Sequence, residues 1–300
     1  VTRWLELEVR ADPALAEGMA GILAEVAGGL VESREGGTPV FRAYLPLDDQ
    51  VEARVARVRA RVRALQEAGL AGEAELVLRQ SPDQEWENAW KAHFKRERIA
   101  PNLVIVPSWE QYQPAAGEAV VVIDPGMAFG TGQHATTRGC LRALARLVRP
   151  GMRVMDVGTG SGILAIAAAR LGAQAVLALE VDRSAAEVAR ENVARNGVAD
   201  RVQVAVSDLT EAAGGACVDL VVANIVAEAV VALVPLLGPH LQPGGWLVAS
   251  GIVKDREPLV RAAMEEHGFA VEDARREGEW VTLIARRAGQ GRGACASDAS

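Results

Sequence analysis

The residues with the most chemical content run Val154-Met155-Asp156-Val157-Gly158-Thr159-Gly160-Ser161-Gly162. The apolar stretch reads as a buried strand entering a glycine turn at the mouth of a helix. Glycines admit a ligand to the backbone, and a helix N-terminus offers free N–H groups. The spacing is Gly-x-Gly-x-Gly. A dinucleotide fingerprint needs a glycine where Ile163 stands. Asp156, two residues ahead of Gly158, is unlike a pyrophosphate site. It suits a ligand with an ammonium or sulfonium end. Asp156, Gly158 and Gly160 are therefore candidate ligand contacts.

Three further side chains fall at the expected ends of later strands. Glu180 closes the second strand, 22 residues after Gly158, where a carboxylate can accept both hydroxyls of a ribose. Asp208 follows the third, within reach of an adenine amino group. Asn224 ends the fourth, in Val222-Ala223-Asn224-Ile225-Val226-Ala227. Buried there it needs a partner, and its amide oxygen could hold the hydrogens of an incoming amine. A fourth element, Asp124 to Thr137, has three glycines between Gly126 and Gly132 and then Thr136-Thr137 to cap a helix that could take a ligand carboxylate. His134 has no partner at metal-ligand spacing and is a minor candidate for a base.

The elements that must carry these residues alternate strand and helix. Strands are expected at 119–123, 153–157, 175–180, 202–206, 218–223 and 246–250, with helices between them and a closing pair at 269–273 and 279–284. That order predicts a mostly parallel sheet covered on both faces. Ahead of it, residues 1–80 read βαββαβ, a small ferredoxin-like α+β unit. Leu5, Leu7 and Val9 alternate with Glu6, Glu8 and Arg10, giving a strand with one wet face. Arg54, Arg57, Arg59, Arg61 and Arg63 lie along its second helix, read as a solvated face. Residues 81–118 are expected to connect the two, with a helix showing Trp86, Trp90 and Phe94. Residues 287–300 are expected to be a disordered tail.

Composition sets limits. The chain has 300 residues, half of them apolar, and a net charge of −7, which disfavours a broad nucleic-acid face. Cys140, Cys217 and Cys295 are scattered and read as free thiols in a reducing compartment. No signal-peptide profile opens the sequence. Asn224, Glu228 and Pro235 interrupt the most apolar stretch, so no membrane span is expected. A cytoplasmic location is expected.

Taken together the glycine turn and strand ends resemble an S-adenosylmethionine-dependent methyltransferase. Asp124 to Thr137, Trp86-Glu87-Asn88-Ala89-Trp90, His93-Phe94-Lys95 and Pro107-Ser108-Trp109-Glu110 are similar to the PrmA family, which methylates large-subunit ribosomal protein L11. The resemblance runs to about residue 286. It implies a Rossmann-like catalytic domain with a seven-stranded sheet over 119–286, a recognition domain over 1–80, and S-adenosyl-L-methionine as donor. It puts Thr137, Gly158, Glu180 and Asn224 on donor contacts and makes lysine and N-terminal amines the acceptors, with Asn224 catalytic. Two features depart from the common methyltransferase pattern. Glu180 stands where Asp is usual, and Asn224 is followed by Ile225-Val226-Ala227, not by Pro-Pro-aromatic. Without an aromatic there, a flat base lacks its stacking wall. The alternatives are a methyltransferase for another protein or for RNA, a donor-binding module without turnover, and, last, a nicotinamide dehydrogenase.

Overall fold

The computed structural model describes residues 4–10, 23, 30–35, 38–46, 51–67, 75–81, 95–123, 134–209 and 217–289. They fall into two units, one up to Lys95 and one from Arg96 on.

The first unit contains β1 (Trp4–Arg10), β2 (Leu30–Glu35), β3 (Thr38–Pro46), α1 (Val51–Glu67) and β4 (Glu75–Ser81). Its sheet runs β2-β3-β1-β4, antiparallel throughout. Leu7, Val9, Phe41 and Leu45 pack under Val55, Val58 and Val62 of α1. Period-two and period-3.6 patterns meet there in one core. Arg57, Arg59 and Arg63 are exposed. The wet face of β1 is not uniformly wet, because Glu8 is only 2% exposed. Its carboxylate accepts from Arg42 (2.8 Å) and Arg10 (3.1 Å). Burial pushes its pKa up, but the two guanidiniums outweigh that and hold it below the ordinary range. The helix expected between β1 and β2, apart from Leu23, and the Trp86/Trp90 helix lie outside the described residues.

The second unit begins earlier than the sequence implied. β5 (Glu97–Ala100) and β6 (Leu103–Val106) form a hairpin, and β7 (Ala119–Val122) pairs parallel to β6 in a separate three-stranded sheet. Residues 97–106 are thus part of the packed unit and not a connecting coil. Ile99, Leu103 and Ile105 join its core.

The large sheet is built from β8 (Arg153–Val157), β9 (Ala175–Glu180), β10 (Val202–Val206), β11 (Val218–Asn224), β12 (Leu241–Val253), β13 (Phe269–Glu277) and β14 (Trp280–Arg287). Their order is β10-β9-β8-β11-β12-β14-β13. The first five are parallel, and β14 and β13 close the sheet antiparallel. Arg287 is the last residue of β14 and pairs with Phe269, so the ordered chain extends past the expected start of the tail. Residues from 290 on lie outside the described set.

Helices cover both faces: α2 (Ala135–Leu147), α3 (Ile163–Arg170), α4 (Arg183–Arg195), α5 (Ala227–Leu233) and α6 (Glu257–Glu266). One core lies between the sheet and α2 and α3. The other lies under α5 and α6. Leu220 to Ala223 of β11 are fully buried, as a strand covered twice must be. Ala165 and Ala167–Ala169 are fully buried too, small enough to bring α3 close to the sheet. Cys140 is a buried free thiol. No described helix is long and apolar enough to cross a membrane.

Asn196 caps α4 and acts as a short piece of strand beside β7. Its Oδ1 accepts from Val122 N (2.8 Å) and its Nδ2 donates to Val122 O (2.7 Å). Removing that amide leaves two edge groups of β7 unpaired, at roughly 1–3 kcal/mol for each buried one. Asn196→Ala is expected to lower unfolding stability by about 2–4 kcal/mol, read as a drop in the urea midpoint of the full chain.

Candidate methyl-donor site

From β8 the chain moves outward to β9 and β10, then returns to lay β11 on the other side of β8. Parallel sheets open a crevice at such a reversal, outside the strands' carboxyl ends. Val157 and Ala223 are paired there, so Gly158 and Asn224 stand side by side at its mouth.

The glycine turn is shaped by hydrogen bonds from both sides. Gly158 N and Thr159 N both donate to Leu179 O, at 2.9 and 3.0 Å. Gly158 has φ +72°, and a Cβ there would lie 2.7 Å from Ile225 Cγ2. The left-handed backbone and the lack of room both require glycine. Gly162, at φ +83°, caps α3 without a side chain.

Asp156 is fully buried. Its Oδ2 accepts from Thr159 Oγ1 (2.6 Å) and from Ala165 N (3.1 Å), tying strand, turn and first helical turn together. Its Oδ1 is buried with no partner. Burial, aided by the charge of Glu180, pushes this carboxyl up to about 7, against the pull of Thr159 and Ala165.

Glu180 is a clasp between two loops. Oε2 accepts from Gly160 N (2.9 Å), and Oε1 accepts from Val181 N (2.9 Å) and Asp182 N (3.1 Å). A carboxylate has about four acceptor positions, so acceptor capacity remains on it. Asp208 is exposed just past β10, and Ser207 N donates to Glu180 O (2.9 Å), which sets the two acids on neighbouring strand ends.

On the other side, Asn224 Nδ2 donates to Thr137 Oγ1 at 3.3 Å, while Asn224 Oδ1 is buried without a partner. Thr137 is fully buried on α2. The cap of α2 is His134 and not the expected Thr136-Thr137. Its ring accepts from Thr136 N, with Nδ1 2.7 Å from Thr136 Oγ1, and meets Trp280 edge-on at 4.9 Å. Burial and nearby Arg138 lower its pKa. A ring committed to the cap is poorly placed to serve as a base.

The crevice therefore brings together Thr137, Asp156, Gly158, Gly160, Glu180 and Asn224, with Asp208 at its edge. Sequence reasoning missed three contributors. Asp182 caps α4 by accepting from Ser184 N (2.7 Å), a signal present in Asp182-Arg183-Ser184. Ser250 and Thr282 form a buried hydroxyl pair that no local pattern marks. Two hollows lie elsewhere: one of about 630 Å³ beside α1, another of about 300 Å³ between α2 and the β13–β14 pair. Among the described residues no group of three metal-binding side chains exists.

A family model described as ribosomal protein L11 methyltransferase (PrmA) matches residues 3–288. The chain belongs to that family. It is 42% identical to the ribosomal protein L11 methyltransferase of Pelotomaculum thermopropionicum, over 94% of this chain and 98% of the relative. The protein of the same name from Chloroflexus aurantiacus is 41% identical over 95% and 98%. A crystal structure of ribosomal protein L11 methylase from Lactobacillus delbrueckii subsp. bulgaricus superposes with TM-score 0.60 at 38% identity, covering 65% of this chain and all of that one. PrmA membership accords with the Asp124–Thr137 loop and the strand-end residues that carried the resemblance.

The raised pKa of Asp156 has a measurable consequence. Between about 4 and 7 the folded chain keeps a proton that the unfolded chain, with an Asp near 3.8, has released. Stability therefore falls as pH rises through that window. In the chain without ligand, Asp156→Asn is expected to flatten this fall, seen as a smaller difference between urea midpoints at pH 5 and pH 8 than in the wild type.

Proposed function

We propose that this chain transfers a methyl group from S-adenosyl-L-methionine to lysine ε-amino and N-terminal α-amino groups of large-subunit ribosomal protein L11. Family membership supports the reaction, and one observation in the crevice carries it here. Asp156 Oδ1 and Asn224 Oδ1 are both buried acceptors without partners, flanking a glycine that allows no Cβ. Buried lone acceptors are costly unless a ligand supplies hydrogens. A donor with an ammonium group answers the first, and an acceptor amine the second.

The residues fit that donor. Asp156 Oδ1 would take its ammonium. Gly158 and Gly160 would let it lie against the backbone. Glu180 would accept from ribose hydroxyls with its remaining capacity, Asp208 would meet the adenine edge, and Thr137 would meet the carboxylate near the start of α2. Asn224 contacts both donor and acceptor in this reading. When bound, the donor supplies a methyl group already activated on a sulfonium.

The protein's remaining task is to align a neutral amine with that methyl, and alignment of this kind is worth roughly 7–11 kcal/mol. A lysine with pKa about 10.4 costs about 4.6 kcal/mol to deprotonate at pH 7, and an α-amino group only about 1–1.4. Desolvation in the crevice lowers both costs. Asn224 Oδ1 accepts one amine hydrogen and turns the lone pair toward the methyl. The proton released on deprotonation goes to water, so no dedicated base is needed.

The first unit serves as the recognition domain in this reading. The order β2-β3-β1-β4, antiparallel with α1 on one face, supports a ferredoxin-like description. The second supports the Rossmann-like description with its sheet of seven strands. The enzyme would work in the cytoplasm, without direct nucleic-acid contact. That accords with the net charge of −7 and with the absence of an aromatic after Asn224.

The test is mass spectrometry of ribosomal protein L11 after incubation with the chain and methyl-labelled donor, with rRNA as a parallel acceptor. Label is expected on amines of the protein, and label on rRNA alone would overturn the reading. Asn224→Ala is expected to cut turnover by about 10²-fold. Turnover on lysine should rise about tenfold per pH unit from 7 to 9, following the neutral amine.

A further inference from the structure

The contact between Thr137 and Asn224 joins a helix to a strand, and something must set the height of that helix over the sheet. Ser250 is paired with Asn224 across β11 and β12, and Ile225 N donates to Ser250 O at 3.1 Å. At this point the pairing of β12 with β14 slips, from Ala249 with Leu283 to Ile252 with Val281. Ser250 and Gly251 thus oppose the single residue Thr282, which is a β-bulge. Bulges next to active sites commonly re-aim a side chain. Gly251 is at φ +85°, and a Cβ there would come within 2.3 Å of Ile225 O, so the bulge presses on the turn that follows Asn224.

The bulge's hydroxyl is paired inward. Ser250 Oγ donates to Val281 O (3.2 Å) and lies 2.8 Å from Thr282 Oγ1, with Ser250 fully buried and Thr282 3% exposed. Thr282 in turn bears on α2. A Cβ added at Gly139 would lie 2.0 Å from Thr282 Oγ1 and 3.1 Å from its Cβ. Gly139 is two residues past Thr137. The contacts close a ring: Asn224, its strand partner Ser250, Thr282, Gly139, and back through α2 by Thr137 to Asn224.

We propose that the Ser250–Thr282 bulge, with Gly139 seated on it, positions the acceptor-orienting amide of Asn224 by fixing the height of Thr137. Gly139, Ser250 and Thr282 are positioning residues; none touches the reactants. This rests on the methyltransferase reading above. Glycine is required at 139 because any side chain would lift α2 off β14 and draw Thr137 away from Asn224. The glycine turn and Glu180, on β8 and β9, lie outside the ring, whereas Thr137 and Asn224, which the reading above also gives donor contacts, belong to it.

The experiment is a double-mutant cycle on the full chain: Gly139→Ala, Thr282→Ala and both together. Gly139→Ala is expected to lower kcat by about 10²-fold, the usual cost of an ångström-scale displacement, with a rise in donor KM because Thr137 moves with the helix. The pair should recover at least about tenfold of that, because the new methyl occupies the space left by Thr282 Oγ1. The side-chain amide resonance of Asn224, assigned by its loss in Asn224→Ala, should shift in Gly139→Ala and return toward its wild-type position in the pair. Gly139→Ala with wild-type kcat and an unmoved resonance would overturn the proposal, as would a pair no better than the single variant. Absence of turnover in the wild type would instead count against the methyltransferase reading, and the resonance would still decide this one.

Discussion

The structure depends on one constraint of parallel sheets: a strand order that reverses leaves a gap which no connection crosses. Here the reversal falls between β8 and β11. Helices α3 and α5 leave from opposite sides of the gap, onto opposite faces of the sheet. What remains between them is a crevice floored by backbone. Asp156, Gly158, Glu180 and Asn224 lie at or next to the carboxyl ends of their strands, so their positions follow from strand register. Gly158 must be glycine because Ile225 reaches across the gap toward it. The ligand space and the sheet topology are therefore one feature.

Much of this was legible because strand ends announce themselves locally. Asp156, Gly158 and Gly160 were marked by glycine spacing, and Glu180 and Asn224 by apolar runs that stop at a polar residue. The hairpin of β5 and β6 was hidden for the converse reason. Each strand has only four residues, and Pro101 and Pro107 stand beside them, so breakers outweighed period. The helix cap at His134 was hidden by two better capping residues, Thr136 and Thr137, which the helix took into its first turn. Asn196, Ser250 and Thr282 left no trace in the sequence, because each partner lies between about thirty and seventy-five residues away. No periodicity encodes such a contact.

At three places among the described residues a side chain pairs with a backbone group of a strand or loop. Asn196 does so for Val122, Ser250 for Val281 and Glu180 for Gly160. Thr137 and Asn224 add a pair of side chains in which the amide nitrogen is held and the oxygen is left open.

Glu180 and Asp156 show how the two acids divide the work. Glu180 sits at a strand end among three backbone amides, so its charge is already solvated by the protein. The longer arm of Glu, relative to Asp, is what reaches Gly160 N while the other oxygen stays with Val181 and Asp182. Asp156 is the reverse: one oxygen is satisfied, the other buried and bare, with its pKa carried to about 7. A fold selected for stability alone would place a neutral side chain there. A cation seated at Oδ1 removes the penalty by keeping the carboxylate ionised, so the free energy withheld from the empty fold returns as affinity. The cost to the chain without ligand and the affinity for a cation that the proposed function assigns to Asp156 would both come from the same unpaired oxygen.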